Sequence, residues 1–254
     1  MTKTVLDTIR TKARSLGRKI VLTESDDVRN LQAAAKLALT GYAKPILVGQ
    51  EAAIQKLASE NGVRLVGVEV VDVEQSPRKA EYIKTVLELR KSKGLTEDQA
   101  RAWLKDTCAF AAAMVCAGDA HGYVSGGGNP KGYNHDTGSK TKPALQLFKT
   151  APGIKTTSAY FIMQMPDPKW GFNGAMFYAD CGLVINPNAD QLAEIAVTTA
   201  RTFRALTGDE PRVGMISCST KGSAKDPIID KVIEATAKAR LLDPSLKIDG
   251  EFQF

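Results

Sequence analysis

The chain has 254 residues and a mass of 27.3 kDa, with 43% hydrophobic and 24% charged residues, which suits one large or two modest domains and excludes fibres and disordered chains. Lys and Arg total 34 against 28 Asp and Glu, a net charge of +6 that favours an anionic partner. No run of five basic residues occurs and aromatics are only 6%, so small anions are preferred to nucleic acid.

The longest nearly uncharged run, Cys108 to Gly118, is far below the roughly 20 residues that a membrane helix needs, so no membrane partner is expected. Met1 to Lys19 lacks the apolar core of a secretory leader and reads as a first helix, which makes the cytoplasm the expected location. Cys108, Cys116, Cys181 and Cys218 lie far apart, with no C-x-x-C pair and no histidine at zinc-ligand spacing. They read as reduced, mostly buried thiols, and no metal is expected.

Short β-rich runs alternate with amphipathic helical stretches, the pattern of an α/β protein with mostly parallel sheets. The strand Ile20 to Thr23 leads into the Glu24-Ser25-Asp26-Asp27 cluster, which supplies N-cap chemistry for a helix from Val28 to Thr40, stopped by Gly41. Pro45 to Gly49 reads as a strand, Glu51 to Glu60 as a helix and Arg64 to Val71 as a strand. Pro77 to Lys91 is expected as a helix with Ser76 at its N-cap, and Thr96-Glu97-Asp98 caps one long helix ending near Ala117. Gly122 to Ser125 is a brief strand, and Pro143 suits the first turn of a helix from Ala144 to Lys149.

A second α/β set follows Pro152, so the expected domains are residues 1–152 and 153–254. Its strands are placed near Ser158 to Met165, Ala175 to Tyr178, Leu183 to Ile185 and Val213 to Ser217. Its helices are placed at Ala189 to Leu206 and Pro227 to Leu242.

Two loops have the composition for anion chemistry. Between Gly126 and Lys142, glycines permit close backbone approach and a helix N-terminus follows, which together suit phosphate. The glycines Gly126, Gly128 and Gly132 do not make a dinucleotide fingerprint, and Gly138-Ser139-Lys140-Thr141 reverses the Walker order. The same residues also fit a solvent loop of small side chains. The turn Ser217-Cys218-Ser219-Thr220-Lys221-Gly222-Ser223 repeats the design ahead of Asp226-Pro227, where ordinary N-cap chemistry is the competing explanation. His135 in the first loop is a candidate anion donor, and His121 reads as a hydrogen-bonded structural residue. Arg90, Lys91 and Lys93 stand at a helix end, where they favour the helix dipole or a ligand equally.

Several segments, in order along the chain, resemble the phosphate acetyltransferase and phosphate butyryltransferase family. They are Lys19-Ile20-Val21-Leu22-Thr23-Glu24, Leu89-Arg90-Lys91-Ser92-Lys93-Gly94-Leu95-Thr96, Tyr123-Val124-Ser125-Gly126 and Pro143-Ala144-Leu145-Gln146 with Lys149-Thr150-Ala151-Pro152-Gly153. Further on are Ala179-Asp180-Cys181 with Asn186-Pro187, Ser219-Thr220-Lys221-Gly222-Ser223-Ala224 and Asp249-Gly250-Glu251-Phe252-Gln253. The resemblance implies two α/β/α domains with an interdomain cleft, and reversible transfer of an acetyl or other short acyl group between coenzyme A and inorganic phosphate. Coenzyme A or acetyl-CoA is then a substrate, alongside phosphate and acyl phosphate, and no bound cofactor is implied.

By position, Arg90, Ser125, Gly126, Thr141, Lys142 and the turn Ser219, Thr220, Lys221, Gly222, Ser223 are the implied substrate-binding residues. Lys142 replaces the family's arginine, keeping the charge and losing the bidentate fork. The family continues past the Asp249 to Gln253 position into a segment bearing a Ser-Arg pair and an aspartate, so the resemblance assigns no catalytic residue here and the second domain is expected to be incomplete. A homo-oligomer or a complementing subunit is the expected partner. The alternative is a non-catalytic paralogue that binds acyl phosphate, coenzyme A or a partner subunit. A decarboxylating dehydrogenase is a more distant choice, for want of a nicotinamide fingerprint or a carboxylate cluster for a metal.

Overall fold

The computed structural model describes residues 4–126 and 137–254. Its first helix, α1 (Val5–Leu16), crosses the division between two compact units. One unit is residues 10–149, and the other is residues 150–254 together with the start of α1.

In the unit of residues 10–149, β1 (Lys19–Leu22), β2 (Lys44–Val48), β3 (Glu69–Val71) and β4 (Gly122–Val124) form one parallel sheet in the order β3-β2-β1-β4. Strand alternation divides its core in two. Val21, Ile46 and Val48 join a cluster with Tyr82, Val86, Phe110 and Leu147, while Leu22 and Leu47 join Leu31, Ala34, Ile54 and Ala58. The second cluster is supplied by α2 (Val28–Thr40) and α3 (Glu51–Glu60). The first draws on α4 (Lys79–Leu89), α6 (Thr107–Cys116) and α7 (Thr137–Leu147). Helices therefore cover both faces, giving the α/β/α layering. Helix α6 is buried continuously from Cys108 to Met114, which explains why its sequence is apolar on every side.

The N-cap expected before α2 is Asp27, whose side chain accepts the Arg29 N–H, and Gly41 ends the helix in the left-handed region at φ 68°. Four sequence expectations change. Residues 64–68 are not strand, because Val68 N–H turns back to Leu65 C=O and Gly67 lies at φ 77°. Helix α4 starts at Lys79 rather than Pro77, since Ser76 Oγ accepts the Arg78 N–H and Ser76 C=O the Lys79 N–H in a turn. The single long helix from Glu97 is two: α5 (Glu97–Trp103) ends, and Asp106 caps α6 by accepting the Ala109 N–H at 2.8 Å. Pro143 lies inside α7 rather than in its first turn, at the cost of one helical hydrogen bond.

In the unit of residues 150–254, β5 (Tyr160–Gln164) and β6 (Ala175–Ala179) form an antiparallel pair, and β7 (Arg212–Ile216) and β8 (Lys247–Phe252) a parallel one. Helices α8 (Ala189–Thr207) and α9 (Pro227–Leu242) pack on the parallel pair through Ala193, Val197, Val232, Ala235 and Ala239 against Met215 and Ile248. Residues Leu183 to Ile185, expected as a strand, form no strand, with bends at Leu183 and Ile185. The Asp180 carboxylate takes the N–H groups of Gly182 and Leu183, both at 2.7 Å, which removes donors a ladder would need. All four cysteines are free, but only Cys108 is fully buried and Cys218 is exposed, a correction to the expectation of mostly buried thiols. Among the described residues no helix is long and apolar enough to cross a membrane.

Candidate active site

Arg90 closes α4 and opens a single 3-10 turn, Lys91–Lys93, that stops at Gly94. Its guanidinium reaches α7, where Nη1 donates to Gln146 C=O at 3.5 Å. Arg90 and Lys142 both line a cavity of about 440 Å³, with Leu95, Trp103, Asp106, Pro143 and Gln146 completing the wall. Two cations beside an indole and two aliphatic side chains suit an anion that carries an apolar substituent. Among the described residues Asp106 is the one carboxylate in that lining, and Ala109 N–H already engages it. Lys91 and Lys93 are exposed and do not line the cavity.

Ser125 and Gly126 leave the carboxyl end of β4, beside the carboxyl end of its parallel neighbour β1. Their two donors converge on one atom of Glu24, just past β1: Gly126 N–H at 2.7 Å and Ser125 Oγ–H at 3.1 Å from Oε1. Ser125 Oγ is also 3.2 Å from the buried Cys108 Sγ, which lies 3.6 Å from Thr23 Oγ1. A carboxylate of the chain itself thus occupies donors that the family resemblance assigned to substrate. Gly126 has φ 99°, and a Cβ added there would meet nothing within 4 Å, so glycine is required by the backbone conformation alone.

Thr141 lies on α7 one residue before Lys142. Burial pushes the Tyr123 phenol up to about 12, leaving it protonated to donate to Lys140 C=O at 3.5 Å and tie β4 to α7. The loop residues Gly128, Gly132 and His135 lie outside the described residues. His121 has the structural role expected of it: Nδ1 accepts the Lys19 N–H at 3.1 Å, and its backbone N–H donates to Lys19 C=O.

In the other unit the turn after β7 gathers Ser219, Thr220, Lys221, Gly222 and Ser223 around Glu251 of β8. Glu251 Oε1 accepts the Gly222 N–H at 2.7 Å and the Ser219 Oγ–H at 3.0 Å. Ser223 Oγ accepts the Thr220 N–H, and Thr220 Oγ1 accepts the Gln253 N–H at 2.8 Å. Lys221, at a left-handed φ of 49°, pairs with Asp249 at 2.6 Å. The Gly222 N–H is the first influence on Glu251 and, against the push of burial, holds its carboxyl below the ordinary range. Asp226 and Pro227 open α9 as ordinary cap chemistry, with Asp226 Oδ1 accepting the Ile228 N–H.

Sequence reasoning therefore named Arg90 and Lys142, which line one cavity, but not Trp103, Asp106 and Gln146 beside them, nor the two glutamates that organise the turns. Glu24 and Gly126 are 102 positions apart, so no local spacing joins them. The available signal was that both glutamates stand in segments resembling the family.

Residues 4–254 match the family model described as phosphate acetyl/butaryl transferase. The chain belongs to this family. It is 44% identical to a phosphate acetyltransferase of Acetivibrio thermocellus over 98% of its own length and 72% of the relative's. Its fold is similar to the EutD phosphotransacetylase from Staphylococcus aureus (TM-score 0.84) and to a phosphotransacetylase from Streptococcus pyogenes (TM-score 0.87). Each is 36% identical, with 98% of this chain and 72% of that chain covered.

Proposed function

We propose that this protein is a phosphate acyltransferase that moves an acetyl or other short acyl group between coenzyme A and inorganic phosphate, with Arg90 and Lys142 binding the phosphoryl group. The observation that carries the assignment of residues is their common cavity. In the forward direction a phosphate oxygen forms a bond to the thioester carbonyl carbon, the carbon–sulfur bond breaks, and coenzyme A leaves as its thiolate. Two fixed cations lower the cost of bringing a dianion to a carbonyl and hold the attacking oxygen in place.

Leu95, Trp103 and Pro143 line the same cavity and supply an apolar wall for a short acyl chain. Ser125, Gly126 and Thr141 are further binding residues of the first unit, and Thr220, Lys221, Gly222 and Ser223, all exposed, form the binding turn of the second; Ser219, also expected to bind, is fully buried and supports that turn from beneath through Glu251. Acyl-CoA, phosphate and acyl phosphate are the small-molecule partners, coenzyme A serves as substrate rather than resident cofactor, and we place the enzyme in the cytoplasm as a homo-oligomer. The non-catalytic alternative draws no support from relatives that are themselves named phosphate acetyltransferase.

The test is release of coenzyme A thiol from acetyl-CoA and from butyryl-CoA, with and without inorganic phosphate, by the purified chain and by any complex that co-purifies with it. Phosphate-dependent release accompanied by an equal amount of acyl phosphate is expected. Failure of both preparations to produce acyl phosphate overturns the reading.

A further inference from the structure

The two units share one hydrogen-bond pattern. In each, a glutamate at the carboxyl end of one parallel strand uses a single oxygen to accept a glycine N–H and a serine Oγ–H from the turn that follows the adjacent strand. Glu24 takes Gly126 at 2.7 Å and Ser125 at 3.1 Å, and Glu251 takes Gly222 at 2.7 Å and Ser219 at 3.0 Å. Both glycines sit at positive φ, 99° and 80°, a region open to glycine and closed to most other residues. Lys221, just before Gly222, is in the left-handed region despite its side chain. Glycine reaches these angles without steric cost but is not confined to them, so each turn needs a further restraint to keep one conformation, and the carboxylate supplies it.

We propose that Glu24 and Glu251 are positioning residues for acyl transfer, each clamping a Ser–Gly turn in the geometry in which the turn meets substrate. This rests on the acyltransferase reading for its kinetic consequence. It does not rest on it for the clamp.

A competing role for Glu24 is an internal anion that a phosphate must displace. Glu251 favours the clamp. It is 2% exposed and its bonding partner Ser219 is fully buried, so an incoming ligand has no access to that carboxylate, yet its bonds match those of Glu24. The backbone of Glu24 is anchored as well: its C=O accepts the Asp27 N–H and the Asn30 Nδ2–H at the start of α2. An anchored main chain suits a fixed strut.

The chemistry of a clamp separates it from a charge effect. Glutamine keeps the oxygen that accepts both donors and loses only the charge, whereas alanine removes the acceptor that joins the glycine N–H to the serine hydroxyl, leaving Ser125 with Cys108 Sγ and Ser219 with Ser223 Oγ as alternative partners. Kinetics of Glu24→Gln, Glu24→Ala, Glu251→Gln and Glu251→Ala should therefore split. The alanine variants are expected to lose about 10- to 100-fold in kcat with KM for phosphate within about twofold, and the glutamine variants to stay within about threefold of the parent.

Hydrogen exchange at the Gly126 and Gly222 amides supplies a readout that needs no activity: slow in the parent and the glutamine variants, fast in the matching alanine variant. Glu24 is only half-buried, so Glu24→Ala carries the test if Glu251→Ala does not fold. Alanine variants with parental kcat, glutamine variants as impaired as alanine, or a Glu24→Ala enzyme with a lowered KM for phosphate would each overturn the proposal. An inactive parent protein with slow exchange at both glycines would instead count against the acyltransferase reading and leave the two clamps standing as structural facts without a kinetic role.

Discussion

Arg90 at the end of α4 and Lys142 within α7 face one cavity, and the Arg90 guanidinium is steadied there by the Gln146 carbonyl at 3.5 Å. Neither helix holds both charges, so the site exists only where the end of α4 reaches α7 through the Arg90 guanidinium. The two cations differ in kind: the guanidinium is a planar fork, and the ammonium a point charge on a flexible stem.

That difference makes Lys142 the informative position to change. Lys142→Ala is expected to raise KM for phosphate about 10- to 100-fold, the loss of one charge-assisted hydrogen bond of about 1.5–3 kcal/mol. Lys142→Arg should keep it within about threefold. Initial rates at varied phosphate and saturating acetyl-CoA check this, and an alanine variant with the parental KM removes Lys142 from the phosphate site.

The layer beneath the site depends on α6. Phe110 is fully buried there and meets Tyr82 of α4 edge to face, with ring centroids 5.1 Å apart. Truncation leaves a cavity that surrounding strands and helices fill only partly. Phe110→Ala is expected to cost about 3–5 kcal/mol in urea unfolding. A change under about 1 kcal/mol would mean that the helix repacks without it.

Glu251 links the second turn to pH. Its folded-state carboxyl lies below the ordinary glutamate range, with the Gly222 N–H as the leading cause. The stabilisation is accordingly complete above the unfolded-state pKa, about 4.3, and lost as the pH falls through the lower folded-state value. Melting temperature measured between pH 7 and pH 3 should fall more steeply for the parent than for Glu251→Gln, which has no proton to gain. Parallel curves for the two proteins would show that this carboxylate does not contribute to the acid limb.

Much of the local structure is written in short-range chemistry. The bounds of α2 follow from Asp27, Gly41 and the apolar spacing between them, and the start of α9 from Asp226-Pro227, because caps and helical periodicity act within a few residues. The misplacements arise where a side chain reaches past its immediate neighbours or a turn spends donors a strand would need. Asp106 splits a continuous helical pattern in two, and Asp180 draws residues 182–183 out of strand geometry.

Residue type and order were enough to establish the α/β class and the family, and to single out Arg90, Lys142 and the two Ser–Gly turns as candidates. That Arg90 shares a cavity with Lys142, Trp103 and Asp106, and that Glu24 and Glu251 occupy the donors of those turns, emerged only from the folded chain. Parallel strands bring together residues far apart in the chain, and a hydrogen bond depends on their separation in space, which order along the chain does not encode.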